Sequence, residues 1–351
     1  MRAALQAQLS SLLVRVRPRV LGGPGLGAAL LACAALIGCA APRPSHHLAE
    51  PGTPRAVLVL HGGAGTIDRA SMTPELEQDY RAALEGALRA GHAVLAGGGS
   101  AMDAVEATLL PLEDSPLFNA GRGAVLTADR ICELDASVMD GGTGLAGAVA
   151  GIRTVRHPIR AARAVMERSE HVLLAGRGAD AFAAEQGLEL VDNAWFQTER
   201  RVRQLDQALA DAKFGTVGCV ALDDKGHLAA GTTTGGMTAK RYGRVGDSPL
   251  IGAGTWAEDG VCGVSATGWG EFFIRGAVAS TIAARMRFGG ASLAEAASAT
   301  IHGDLTARGG TGGVVALDAE GRVAAPFNTP GMYRGWITAE GDVTVRIWND
   351  R

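Results

Sequence analysis

Neither sign of charge is in surplus here: 33 Lys and Arg stand against 36 Asp and Glu, a net charge of −3 over 351 residues. With that balance no basic surface points to nucleic acid. The five cysteines, Cys33, Cys39, Cys132, Cys219 and Cys262, form no CxxC pair and no regular framework, which argues against zinc ribbons and a disulfide scaffold. Eight histidines are scattered without an HExxH, so a dedicated metalloenzyme site has no support. There is no GxSxG, no P-loop and no kinase motif set. HGGAGTI follows a strand-like run and could pass for a phosphate loop. No GxGxxG opens a helix with an acidic residue at the right remove, however, so nucleotide binding is not expected.

Glycine is what the sequence has in excess, 50 residues with no collagen-like period. Many fall in pairs beside strand-like runs (HGGAG, TGGM, GGTGG), as where a backbone turns tightly or approaches a ligand closely. The N-terminus carries Arg2, Arg15, Arg17 and Arg19 before an apolar run, Leu26–Gly38, too short for a comfortable membrane span. The run ends at Cys39 and resembles a bacterial lipoprotein signal. Residues 1–39 are therefore expected to be a signal, with Cys39 lipidated, and 40–55 a Pro- and His-rich tether. Plain secretion after Ala40 or Ala41 is the alternative. Either way the domain is expected on the periplasmic side, at the outer membrane if Ala40 after the cysteine is the guide.

From residue 56 the pattern is ordered. Ala56–Leu60 reads as a buried strand, Pro74–Ala90 as an amphipathic helix stopped by Gly91, and Ser100 with Asp103 as the cap of a helix through Leu110. Ile131–Met139 alternates like a strand, and helices follow around Pro158–Glu167 and Gly178–Gln186. Thr198–Lys213 is polar, lacks a strong apolar face and reads as a connector the fold does not need. Strands are expected at Val217–Leu222, Leu228–Thr233 and Val261–Ala266. Helices at Glu271–Phe288 and Leu293–His302 precede a hairpin over Val314–Ala325. Strands gathered into sheets with helices in pairs point to layered α+β packing.

One junction needs a chemical reading. In KFGTVGCVALD, Thr216 sits between a bare glycine and a buried-looking strand. A threonine hydroxyl is a poor nucleophile without an adjacent base, and an N-terminal threonine carries one in its own α-amine, with a pKa of about 7.7–8.0. To free that amine inside a chain, the hydroxyl must attack the preceding carbonyl, and Gly215 offers no side chain to obstruct it. Taken alone, Gly-Thr before a strand is more often just a strand start.

The surroundings are specific. VLHGGAG, LEDSPLFNAGRGAV, ELDASVMDG, GTVGCVALD, GTTTGGMTAKRYGRVGDSPL, SATGWGEFF, GGTGGVVALD and PFNTPGMYRGW occur in this order along nearly the whole chain after the leader. Together they resemble the plant-type asparaginase / isoaspartyl peptidase family of N-terminal nucleophile hydrolases. The resemblance implies a four-layer αββα sandwich, with one domain (56–351) cut into fragments 56–215 and 216–351 between Gly215 and Thr216. It implies Thr216 as nucleophile, Thr234 as the threonine aiding its activation, Thr267 and Gly268 as the oxyanion hole, and Asn119 as a residue positioning groups nearby. Arg244 and Asp247, with Thr267, Gly268 and Gly270, would bind substrate. An arginine fork suits an α-carboxylate and an aspartate an ammonium, which selects asparagine and β-aspartyl peptides. The backbone oxygens of Leu112, Glu113, Ser115, Phe118, Ala120 and Arg122 would hold a structural sodium ion, with no cofactor required for the chemistry. A dimer of αβ units is implied too.

Three features depart from the family's pattern: Trp269 inside TGWGE, expected to narrow the pocket or stack on a leaving group; a short connector after Trp195; and the export signal. Glycosylasparaginase is the alternative enzyme, and an uncleaved binding lipoprotein the alternative from another class.

Overall fold

The computed structural model describes residues 55–207 and 215–349. The leader, Cys39, most of the tether, Lys213 and Phe214 lie outside them. Among the described residues no helix is long and apolar enough to cross a membrane.

Two sheets stack face to face between two layers of helices. The first has eight strands: β1 (Ala56–Gly65), β2 (Leu134–Asp140), β3 (Ala146–Ile152), β4 (Leu173–Ala175), β5 (Val217–Leu222), β6 (Leu228–Thr234), β11 (Gly331–Thr338) and β12 (Val343–Arg346). Their spatial order is β12-β11-β1-β5-β6-β2-β3-β4, so β5 lies near the middle, antiparallel to both β1 and β6. The second sheet has the order β10-β9-β8-β7, from β7 (Thr255–Glu258), β8 (Cys262–Gly268), β9 (Gly312–Asp318) and β10 (Val323–Ala324).

Strand alternation builds the layers. Leu58 and Leu60 of β1 and Val217, Cys219 and Ala221 of β5 pack towards the helices α1 (Pro74–Ala96), α2 (Ala101–Asp114) and α3 (Pro158–Arg168). Val59 and Val220 point the other way, onto Val315, Leu317 and Ala257 of the second sheet. The outer face of that sheet is covered by α6 (Gly270–Gly276), α7 (Val278–Arg287) and α8 (Leu293–Ser298), through Phe273, Ile282 and Leu293. The expected four-layer α+β sandwich is thus present.

Several local expectations are corrected. Gly91 does not end α1, which runs on to a cap at Gly97. A Cβ on Gly91 would fall 2.0 Å from Thr108 Oγ1 and 2.5 Å from Leu58 Cδ1, so this glycine lets α1 lie close against α2 and β1. The first strand extends through HGGAG to Gly65 because those residues pair with β11. The helix expected over Glu271–Phe288 breaks in two at Ala277, which has a φ of 43°. No strand was expected at β3, β4, β7, β11 or β12; β4, β7 and β12 have only three or four residues, while β3 and β11 are longer and interrupted by glycine. The supposedly dispensable connector is helical over α5 (Glu199–Gln207), after α4 (Gly176–Glu185). α5 is docked by Leu205, which joins the main core, and by Arg201, whose Nε donates to the carbonyl of Gly123. An arginine in a polar string did not signal burial.

Candidate active site

At the start of β5 the Gly215–Thr216 peptide is held from several sides. The carbonyl oxygen of Gly215 accepts from Asn119 Nδ2 at 2.7 Å and from the Thr234 hydroxyl at 2.8 Å. Thr234 Oγ1 in turn accepts from the Thr216 hydroxyl (3.2 Å) and from the backbone N–H of Gly236 (2.9 Å). One hydroxyl therefore links the group that would attack to the carbonyl that would be attacked. The Asn119 amide can be oriented in only one way. Its Oδ1 faces the Val125 N–H at 2.8 Å, leaving both Nδ2 hydrogens for the carbonyls of Gly215 and Gly236. Two donors on one carbonyl would stabilise the negative charge that an attack there would develop.

On the other side of Thr216 lies His61, which the sequence reading did not single out. Its Nδ1 is 3.1 Å from the Thr216 carbonyl, an obligate acceptor, so the ring donates there. Nε2 then accepts from the Ser265 hydroxyl at 3.0 Å. Complete burial pushes the pKa of His61 down to about 3, which keeps the ring neutral as this pattern requires. From Ser265 a chain of hydroxyls continues between the sheets through Thr232, Thr255 and Ser137 to the carbonyl of Ser248, next to Asp247. A histidine directly after an apolar strand run was the only local signal, and its burial is visible only in the fold. Gly218 must be bare to admit this packing, because a Cβ there would lie 1.9 Å from Ser265 Oγ.

Thr267 and Gly268 end β8 nearby. Thr267 is fully buried and its Oγ1 accepts from the N–H of Ala64 at 3.1 Å; neighbouring Gly63 packs directly on Gly215 and Thr216. Gly268 has a φ of 154°, and a Cβ there would sit 2.4 Å from the carbonyl of Thr311, so only glycine fits.

The third group is reached through Gly236, whose missing side chain leaves room for Lys240 and for Arg244. Arg244 makes two parallel bonds to Glu271, Nε to Oε1 at 3.0 Å and a terminal nitrogen to Oε2 at 2.9 Å. Glu271, another residue not picked out before, is held below the usual carboxylate range, chiefly by its bond to Arg244 and with help from the Trp269 side chain. Trp269 is 40% exposed and packs edge-on against Phe272 at 5.2 Å. Its contact with the site thus runs through Glu271. Asp247 is buried, and its Oδ2 has no hydrogen-bond partner. Desolvation drives its pKa up to about 7; Arg244 pulls against this, and Glu271 and Asp135 add to it. Gly270 closes the group, since a Cβ there would lie 2.7 Å from Asp247 Oδ1 and 3.0 Å from Arg244. An unpartnered buried carboxylate oxygen beside an arginine suits a ligand carrying an ammonium and a carboxylate together.

Of the expected loop Leu112–Arg122, Leu112 and Glu113 lie in the last turn of α2, and the tight loop begins only at the cap, Ser115. Gly121 and Gly123 are required there, because Cβ atoms would fall 2.3 Å from the carbonyl oxygen of Glu113 and 2.8 Å from those of Phe118 and Pro116. The Glu113 carboxylate points elsewhere, to the N–H of Ile159, the Thr233 hydroxyl and His157. The loop's own oxygens are carbonyls, several already hydrogen-bonded, as Glu113 is to the Arg122 N–H, together with the Ser115 hydroxyl and Asn119 Oδ1; oxygens of this kind are the donors a hard cation takes. Among the described residues no cluster of three metal-binding side chains exists.

Comparison with known proteins places the chain among its relatives. The profile of the family described as Asparaginase matches residues 54–347. The chain is 49% identical over 312 residues to an isoaspartyl peptidase of Escherichia coli, covering 85% of this chain and 97% of that one. It is 41% identical to a probable isoaspartyl peptidase/L-asparaginase of Arabidopsis thaliana (83% and 98% covered). It is 44% identical to a plant-type L-asparaginase of Pyrobaculum calidifontis (80% and 96% covered).

Proposed function

The chain belongs to this asparaginase family, and from that premise we propose that it releases L-aspartate from isoaspartyl peptides and L-asparagine through Thr216, freed by self-cleavage after Gly215. The observation that carries the reading is the Gly215 carbonyl, gripped by Asn119 and Thr234 while the Thr216 hydroxyl points at Thr234. Thr216 Oγ attacks that carbonyl and the acyl group moves from nitrogen to oxygen. Water then hydrolyses the ester, leaving a carboxylate on Gly215 and a free amine on Thr216.

The second reaction reuses the same hydroxyl. Arg244 and Asp247 hold the α-carboxylate and α-ammonium of an aspartyl unit, which are both free only when the scissile amide is on the side chain. Thr216 Oγ attacks the side-chain carbonyl, and its proton passes by way of the new amine to the departing nitrogen. The oxyanion rests against Thr267 and Gly268, where one donor is typically worth about 10²–10³ in rate. Water, deprotonated by the same amine, then cleaves the β-aspartyl ester.

Further parts of the reading rest on the resemblance. The carbonyls of Leu112, Glu113, Ser115, Phe118, Ala120 and Arg122 hold a sodium ion that stiffens the loop leading to Asn119. Two αβ units form a dimer. Cys39 carries a lipid that tethers the domain at the periplasmic face of the membrane.

The test is intact and N-terminal mass analysis of protein lacking residues 1–39, aged at neutral pH, followed by aspartate release from β-aspartyl dipeptides and asparagine. Two fragments, the second beginning at Thr216, with aspartate released, is the expected result. A single uncut chain would overturn the reading in favour of a binding protein.

A further inference from the structure

A cavity of about 560 Å³ opens beside Gly215, and the hydrolytic scheme leaves it unassigned. Its walls come from the Gly62–Gly65 end of β1, from Tyr80 of α1, from α5, and from Thr311 with the 328–330 turn; Asn119 and Gly215 close its inner end. Arg244, Asp247 and Gly270 do not line it. Of the residues around the reacting peptide, Asn119 and Gly215 are the ones the cavity reaches, and the clamp residues are absent from its walls. A β-aspartyl unit anchored in the clamp, with its side-chain carbonyl at Thr216, would carry its leaving group at the end remote from the clamp.

The cavity is cationic. Three arginines of α5, Arg200, Arg201 and Arg203, line it, and among its described lining residues Asp68 is the only acidic one. Arg201 is only 7% exposed, and its hydrogen bonds go to the Gly123 carbonyl and the Gln204 side chain. Burial lowers its pKa to about 10, which still leaves it charged at neutral pH. Arg200 is steadied by the Tyr80 hydroxyl at 2.9 Å, and Tyr80 stacks on Tyr333 at 4.3 Å. Arg203 meets Glu199 at 3.2 Å on the exposed side of the helix. Among the described residues no carboxylate pairs with Arg200 or Arg201. A buried arginine held only by neutral acceptors lacks the counter-charge such groups normally have.

We propose that this cavity receives the α-carboxylate of the amino acid leaving an isoaspartyl peptide, so that Arg200 and its α5 neighbours favour peptide-like leaving groups over ammonia. The inference rests on the hydrolytic reading above and adds the substrate preference. Ammonia, the leaving group of asparagine, has nothing to offer these arginines, whereas a dipeptide brings one carboxylate to them.

The experiment compares kcat/KM for β-aspartyl-alanine with that for its C-terminal amide, in the cleaved wild type and in the Arg200→Gln/Arg203→Gln variant. Arg201 stays intact because it is part of the core. The acid is expected to be preferred about tenfold by the wild type, the scale of a partly exposed charge-assisted hydrogen bond, and the ratio should fall towards one in the variant. Inhibition by free alanine but not by alaninamide provides a second reading that needs no variant. Equal turnover of acid and amide by the wild type would overturn the inference and leave the arginines to the carboxylate that cleavage creates on Gly215. A ratio unchanged in the variant would overturn it as well. No turnover of either substrate by correctly cleaved protein would instead sink the hydrolytic reading itself.

Discussion

Asp247 shows at the scale of one residue how burial can prepare a proposed binding group at a cost. Desolvation raises its pKa to about 7, so in the free protein much of it is protonated at neutral pH. An ammonium needs the carboxylate form, so affinity improves as pH rises through about 7. The linkage sign is the reverse for stability. A folded pKa raised above the unfolded value of 3.8 means the free protein loses stability as pH climbs through about 7. We expect kcat/KM to fall below about pH 7 on account of Asp247 and to show a second limb from the Thr216 amine, at about 7.7–8.0. The first limb should vanish from kcat, because bound ammonium keeps Asp247 ionised. Asp247→Asn should lose the first limb altogether and raise KM about 10²-fold, the scale of a lost buried charge pair. A pH–rate profile of both forms measures this, and an unchanged first limb in the variant would rule Asp247 out as its source.

At the scale of elements, glycine at position 91 and the helix α5 carry the argument. Gly91 costs helix stability in isolation, about 1 kcal/mol relative to alanine. The close approach of α1 to α2 outweighs that loss, since the nearest atom would be 2.0 Å from an added Cβ. Gly91→Ala should therefore destabilise the protein by about 1–3 kcal/mol, as overpacking does, although it improves helix propensity. Denaturant titration decides the sign. The start of α1 was legible because Thr73 and Pro74 make a local cap, whereas its end was not, because the role of Gly91 depends on Thr108 and Leu58 from other elements. α5 was misread for the same reason. Its polar composition suggested a solvated linker, and only the Gly123 carbonyl explains why Arg201 is inside.

On the scale of the whole molecule, the placement of β5 has a mechanical consequence. A cut after Gly215 would free a strand end, yet β5 stays paired over Gly218–Ala221 with β1 of the first fragment and along its whole length with β6 of the second. The two fragments share one eight-stranded sheet and one core. They should co-migrate in native size-exclusion chromatography and separate only in denaturant. Spontaneous separation under native conditions would contradict this placement.

The sequence by itself determined the layered α+β class, most element starts, and the residues that gather at Gly215–Thr216, because strand alternation, caps and long ordered motifs are written in local order. Thr216, Thr234 and Asn119 were named from such motifs, and the fold brings them within hydrogen-bond distance of one peptide. Only the tertiary structure decided that His61 donates to Thr216, that Glu271 and through it Trp269 hold Arg244, and that α5 lines a cationic cavity beside Gly215. The physical reason is the same in each case. Burial and counter-charge are properties of surroundings assembled from distant parts of the chain, and no residue's neighbours in sequence reveal what will desolvate it.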